Sequence, residues 1–293
     1  MGCFSNNKVL TLAQFLVLWK FLIEMNLYFD QNNNLVFDTI NDVMTGLWTP
    51  SDPDTVALIA RMSVDPPLRL KALLDKTIID LKGYAIWEHI DSLKLYGLHT
   101  EQASMLNIKQ DKYNSTNHGI GWQSYTGVKG FAVVDYKYID SGFTGGTSGD
   151  NYQINDSFFG TYVLDNFTAS NGFWQDANNF IRPRYWSGGA NYWILARMNT
   201  NADKIIADSN SQGWLIVERK NSTQERVIKN GTLSVVACVN ATMGTVPWTE
   251  MWNGITSYGA RVGVVIYGGG MSAQNHVDLR TIITYWITNI SRL

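Results

Sequence analysis

The segment "GFWQDANNFIRPRYWSGGANYW" concentrates the side chains best suited to hold a ligand. It gathers Trp174, Asn178, Arg182, Arg184, Tyr185, Trp186, Asn191 and Trp193 in one short run. A sugar needs flat aromatic faces for its C–H bonds and planar Asn or Arg donors for its hydroxyls. Protein interfaces concentrate the same Tyr, Trp and Arg residues, and alternate aromatics also fill sandwich cores. Trp174, Arg184, Tyr185, Trp186, Asn191 and Trp193 are therefore the candidate binding residues. Glycan binding, subunit contact and core packing all remain open for them.

Catalytic constellations are thinner. Glycoside hydrolysis needs two carboxylates about 5–10 Å apart. A sandwich strand would present them at period-two spacing, and "GWLIVERK" offers only Glu218 beside Arg219. That pairing reads as a solvent-facing salt-bridge partner. His89, His99, His118 and His276 are scattered without paired metal spacing, and His99 reads as a packed structural histidine. Ser272, His276 and Asp278 carry the letters of a nucleophilic triad but fall on or beside one helical stretch. "YGGGMS" lacks the Lys and Ser/Thr of a phosphate loop, and "DNYQINDSF" lacks the Glu and oxygen spacing of a calcium loop. The expectation is no catalytic residue, no metal and no cofactor. A net charge of −2 gives no electrostatic ground for a nucleic-acid partner.

The elements that must position these residues change character along the chain. Past about residue 110, short β-rich runs alternate with Gly, Asn, Asp and Ser clusters: "GFAVVDYKYIDSGF", "SFFGTYVLDNF", "NYWILARMN", "GWLIVERK", "LSVVACVNA" and "RVGVVIYGGG". Such spacing reads as an antiparallel sandwich or barrel. Within "VIKNGTLSV" the pair Asn230-Gly231 predicts a two-residue hairpin turn, because both types tolerate the positive φ it needs. Cys238, inside an apolar run, reads as a buried free thiol.

Helical periodicity marks the rest. "SDPDTVALIARM" predicts a helix capped by Ser51, Asp52 or Asp54, with Val56, Ile59 and Ala60 in phase. Leu70, Leu73, Leu74, Thr77, Ile78 and Leu81 keep the 3.6 spacing, and the run onward to "LKLYGLH" reads as one or two helices broken near Gly83. Leu279, Ile282, Ile283, Trp286, Ile287 and Ile290 predict a C-terminal helix that closes one side of the sheets. Near the start, Leu12, Phe15, Leu16, Trp19 and Ile23 share one helical face. Gln14, Lys20 and Glu24 leave that stretch too short to cross a bilayer of about 30 Å, and it reads as an amphipathic helix buried in a protein partner or against its own domain, with a membrane-surface helix as the alternative. The chain divides into a docking segment, residues 1–50, a helical region leading into the sandwich, 51–108, and the sandwich with its closing helix, 109–293.

Three stretches resemble a family of phage and prophage virion proteins that carry a laminin-G-like, concanavalin A-like jelly roll. The first is Trp87, Leu93 and Leu95, then His99, Glu101, Gln102, Ala103, Leu106 and Asn107. The second is the step Asp140, Gly142, Phe143; the third is the hairpin "GWLIVERKNSTQERVIKNGTLSV" with its Lys-Asn-Gly turn. The resemblance covers about residues 52–293 and implies a mainly β jelly roll on a virion structural protein: tail fibre, spike or capsid decoration. It implies other virion proteins as partners through the N-terminal segment, and a virion location. Symmetric appendages and the aromatic-rich surface predict a homo-oligomer. A receptor-recognition module for a host-surface glycan and a polysaccharide depolymerase are the alternatives.

Overall fold

The computed structural model describes residues 28–29, 35–36, 49–129, 137–146, 150–166, 174–175, 179–186, 192–200, 204–208, 210–238, 243, 248–250 and 261–293. For residues 28–29, 35–36, 129, 174–175, 184–186 and 192–193 it describes the backbone alone. The expected N-terminal helix lies outside the described residues, which there hold only the short antiparallel pair β1 (Tyr28–Phe29) and β2 (Leu35–Val36).

The fold is mainly β: two antiparallel sheets form a sandwich, and helices cover one outer face. The strands in chain order are β3 (Ile90–Leu95), β4 (Thr116–His118), β5 (Gly121–Gln123), β6 (Gly127–Lys129), β7 (Tyr138–Asp140), β8 (Ser157–Val163) and β9 (Trp174–Gln175). They continue with β10 (Phe180–Trp186), β11 (Tyr192–Arg197), β12 (Lys204–Ala207), β13 (Gly213–Asn221), β14 (Gln224–Lys229), β15 (Thr232–Ala237), β16 (Thr249–Glu250) and β17 (Arg261–Gly268). The helix-covered sheet runs β15-β14-β13-β8-β17-β6-β5, with β3 also paired to β17. The other sheet runs β12-β11-β10-β9-β16-β7-β4.

The inner strands β8, β13 and β17 of the helix-covered sheet are buried on both faces, which explains their nearly unbroken apolar runs, while the edge strand β15 leaves Leu233 and Val235 exposed. Trp214 and Ile216 of β13 pack toward the helices, while Leu215 and Val217 enter the sandwich. On β17, Val264 and Ile266 take the helix side and Val265 and Tyr267 the sandwich side. The hairpin turn is as expected: Asn230 and Gly231 have φ of 50° and 91°, and β14 pairs with β15 in register from Lys229↔Thr232 onward. Cys238 is a buried free thiol.

Helix α1 (Pro53–Ala60) starts at the Asp52 cap, whose side chain accepts from Asp54 N at 2.8 Å, with Pro53 at the first position. Its buried face is Thr55, Leu58 and Met62, not the expected Val56, Ile59 and Ala60; Val56 is exposed. Two turns of helix dock through one i, i+3, i+7 row, and the packing partner, not the composition, chooses which. Helix α2 (Leu68–Gly83) buries the predicted Leu70, Leu73, Leu74, Thr77, Ile78 and Leu81. Beyond Gly83 the chain does not continue as helix. A short 3₁₀ turn at Trp87–His89 feeds strand β3, which pairs antiparallel with β17. Alternation explains it: Leu93 and Leu95 face the helices while Lys94 and Tyr96 face the sandwich interior. The short α3 (Glu101–Met105) follows a Thr100 cap. Helix α4 (Ala273–Ile290) opens with a capping box between Ser272 and Asn275 and buries Leu279, Ile282, Ile283, Trp286 and Ile290 against the sheet. No helix among the described residues is long and apolar enough to cross a membrane.

Candidate functional site

Backbone register sorts the predicted aromatic set. Strands β9, β10 and β11 are neighbours, with Trp174 opposite Ile181, Tyr185 opposite Trp193 and Trp186 opposite Tyr192. A register shift between Arg182 and Tyr185 bends β10 just before the aromatic pairs. Arg184, Tyr185, Trp186 and Trp193 thus share one end of the β10–β11 pair. Trp174 sits about four residues further along β10, roughly 13 Å away at the rise of a strand. Asn178 and Asn191 lie outside the described residues. Nearer the sheet's middle, the guanidinium groups of Arg182 and Arg197 both stand over the Phe180 ring, 5.2 and 4.8 Å from its centroid.

The described side chains form a cleft elsewhere, of about 460 Å³. One wall is the C-terminal end of α4, from Trp286 to Arg292. The other is the β5–β6 turn at Tyr125, Thr126 and Gly127 with the start of β17 at Arg261 and Gly263. Tyr125 holds φ 58°, and its N–H donates to Gly97 O at 2.9 Å. Gly127 is required on two counts: its φ is 89°, and a Cβ would come within 2.4 Å of Val262 O. Tyr125, Thr126, Thr288, Ser291, Arg261 and Arg292 line one space; Thr126 Oγ1 donates to Gln123 O, Thr288 Oγ1 to Thr284 O and Ser291 Oγ to Thr288 O, which leaves each oxygen free to accept. Arg261 is fixed by two bonds of 2.7 Å to Asp165, a pairing that holds its pKa above the ordinary value. The indole Nε1 of Trp286 is buried with no hydrogen-bond partner among the described residues. None of the described residues lining the cleft is Asp or Glu.

The acids that could do chemistry are occupied elsewhere. Glu218 is fully buried, which corrects its reading as a solvent-facing residue: the helix layer covers the face of β13 that an open sheet would show to water. Its carboxylate accepts from Met271 N at 2.8 Å and lies 3.4 Å from Arg226 Nη1 and 3.2 Å from His276 Nε2. Burial acts to raise its pKa, but His276 and the Met271 N–H outweigh that and leave it lowered. His276 therefore pairs with Glu218, while Ser272 caps the helix; Ser272, His276 and Asp278 do not act together. His99 Nε2 lies 2.8 Å from Val64 O, and the side chain is partly exposed.

Lys94 is buried between the sheets, where its ammonium donates to Glu250 Oε1 at 3.0 Å, Tyr267 Oη at 2.7 Å and Ser141 O at 2.8 Å. Tyr96 and Ser115 donate to the other Glu250 oxygen. Burial lowers the Lys94 pKa and raises those of Tyr96 and Tyr267. This network joins β3 and β17 to β16 across the sandwich. Asp91 is likewise spent on structure, accepting from the N–H groups of Asn151 and Tyr152 at 2.9 and 2.8 Å. Burial nevertheless raises its pKa. No group of three His, Cys, Asp or Glu among the described residues is placed to hold a metal.

The sequence singled out Trp286, Ile287 and Ile290 only as helix-face residues and missed the other cleft residues. They come from positions 97 to 292, so no local pattern joins them.

No family model matches the chain, and no curated protein matches it. Among solved structures, the botulinum neurotoxin serotype D binding domain aligns at TM-score 0.48 and 8% identity, over 69% of this chain and 52% of that one. Domain 4 of a GH43 extracellular arabinanase from Geobacillus stearothermophilus, in complex with arabinotriose, aligns at TM-score 0.37 and 15% identity, over 65% of this chain and 100% of that one. A Trypanosoma rangeli sialidase in complex with sialic acid aligns at 0.43 and 6% identity, over 75% of this chain and 39% of that one. The aligned region spans about half the length of the neurotoxin binding domain, 52%.

Proposed function

We propose that this chain is a non-catalytic carbohydrate-binding β-sandwich module. The observation that carries the reading is the cleft beside the end of α4. Its volume of about 460 Å³ falls in the range of small-ligand sites. It combines residue types that a sugar ring uses, a Tyr, two Thr, a Ser and two Arg, with no lining carboxylate among its described residues to cleave a glycosidic bond. The aromatic end of β10–β11 is the second candidate surface, since register brings Tyr185 and Trp186 beside Trp193 and Tyr192.

A polysaccharide array, followed by titration of any hit, tests this. Tyr125→Asn, which suits the left-handed backbone there, is expected to weaken binding at least tenfold with unchanged thermal midpoint. Loss of binding in Trp186→Ala instead moves the site to β10. No binding by the intact protein removes the reading, and release of reducing sugar ends contradicts the non-catalytic part.

The resemblance of the Trp87–Asn107 stretch to phage virion proteins supports placing this module on a particle, with residues 1–50 as its attachment. Deleting residues 1–50 is then expected to leave a folded domain that no longer joins particles. Incorporation of the truncated chain counts against that placement.

A further inference from the structure

A smaller cavity of about 150 Å³ lies at the opposite end of α4, where the helix start meets the β14–β15 hairpin. Its lining combines Trp214, Arg226, His276 and Arg280 with an apolar rim at Leu233 and Val277. Two donors carried by these residues, Trp214 Nε1 and Arg226 Nε, are buried with no hydrogen-bond partner among the described residues, and so is His276 Nδ1. Burying a polar group without a partner is costly, and native proteins leave only a few such groups, so several at one place are informative. Three around one cavity indicate that something polar sits there.

The charge balance specifies its kind. Glu218 is the anion facing this cluster, and its oxygens are already engaged by Met271 N–H, Arg226 and His276. That one carboxylate answers Arg226, and Arg280 is left over. Arg280 is exposed on α4 and has no ion pair among the described residues. Its Nη1 lies over the hairpin turn, 2.4 Å from where a Cβ on Gly231 would be. The positive end of the α4 dipole points the same way. At about 150 Å³ the space is below that of a drug-sized ligand and suits an oxyanion or the acid end of one sugar.

We infer that this cavity is an oxyanion site, formed by Trp214, Arg226, His276 and Arg280, for a carboxylate or sulfate group. The group can belong to an acidic sugar or to a free inorganic ion. The site does not rest on the glycan reading, because the sugar cleft lies at the other end of the same helix.

The test uses the full chain at fixed ionic strength. Glucuronate, inorganic sulfate and glucose are titrated by calorimetry while the indole N–H resonance of Trp214 is followed by NMR. Saturable binding of glucuronate or sulfate, with a shift of that resonance and none with glucose, is expected. Tighter glucuronate binding identifies an acidic sugar; tighter sulfate binding identifies a free ion. Arg280→Gln, an exposed change that leaves the core intact, is expected to weaken binding at least tenfold, and Tyr125→Asn to leave it unchanged. Trp214→Phe removes the indole donor and is expected to weaken binding as well; if it fails to fold, Arg280→Gln decides. Absence of saturable binding by both oxyanions, equal affinity in Arg280→Gln, or equal binding of glucose overturns the proposal.

Discussion

Glu225 gives the sharpest prediction about how this sandwich holds charge. It sits on β14, opposite Arg219 of β13 and Val236 of β15, and is fully buried. Burial raises its pKa from 4.5 to about 8, with Lys204 and Arg219 only partly opposing it. Between those two values the folded protein keeps a proton that the unfolded chain has released. Stability must then fall as pH rises, fully present below 4.5 and lost as pH passes through about 8. At about 1.36 kcal/mol per pH unit, the interval corresponds to a loss on the order of 5 kcal/mol, or roughly 10 °C in midpoint for a chain of this size. Glu225→Gln keeps the shape and removes the titration. The assay is thermal or urea unfolding of both proteins from pH 5 to 9, plotted as their difference. Lys229, which burial lowers to about 8, titrates in both and cancels. The variant is expected to gain steadily on the natural protein from about pH 5 to 8 and to level off above. A difference that stays flat within about 1 kcal/mol across that range refutes the reasoning, because the carboxyl would then be ionised in the fold at neutral pH.

The other predictions concern cross-sheet and turn contacts. Lys94→Met or Glu250→Gln alone is expected to cost about 3–5 kcal/mol in urea unfolding, since each strands a buried partner. The double variant is expected to recover a large part of that, and additive losses would show that the pair does not couple. Gly231→Ala is expected to cost about 1–2 kcal/mol from the φ of 91°, since Arg280 Nη1, the end of an exposed side chain, can move aside. An unchanged urea midpoint would mean that the turn relaxes freely.

What could be read from the sequence was what neighbouring residues decide. The hairpin at Asn230-Gly231, the β-branched runs of β13 and β17, and the buried face of α4 each follow from types within a few positions. What could not be read depends on which element arrives from far away. Glu218 looks like a surface acid until α4 covers β13 and brings His276 and Met271 to it. The Ile90–Leu95 stretch continues a helical rhythm, yet β17 offers it a ladder, and pairing wins over period. The side chains of Trp174, Arg184, Tyr185, Trp186 and Trp193 lie outside the described residues, as does Asn191 altogether; for the strand residues the structure adds register alone.

The residues that carried the phage resemblance have local structural work in this fold. Asn107 Oδ1 accepts from Leu93 N and Lys109 N, while its Nδ2 donates to Asp91 O and Lys112 O, which locks the turn after α3 onto β3. Asp140 accepts from Gly142 N, whose φ of 66° turns the chain so that Phe143 enters the core. Lys229 donates to Ser211 O and Gln212 O, and Asn230 accepts from Trp214 N, so the Lys-Asn-Gly turn clamps the start of β13. Motifs fixed by packing in this way identify an architecture, because any ligand-free copy of the fold needs them too. Specificity has to come from residues that the fold leaves under-employed. Among the described residues those are the unpartnered indole of Trp286 at one end of α4, and at the other the unpartnered indole of Trp214 with Arg280, which has no ion pair there, above the Asn230-Gly231 turn.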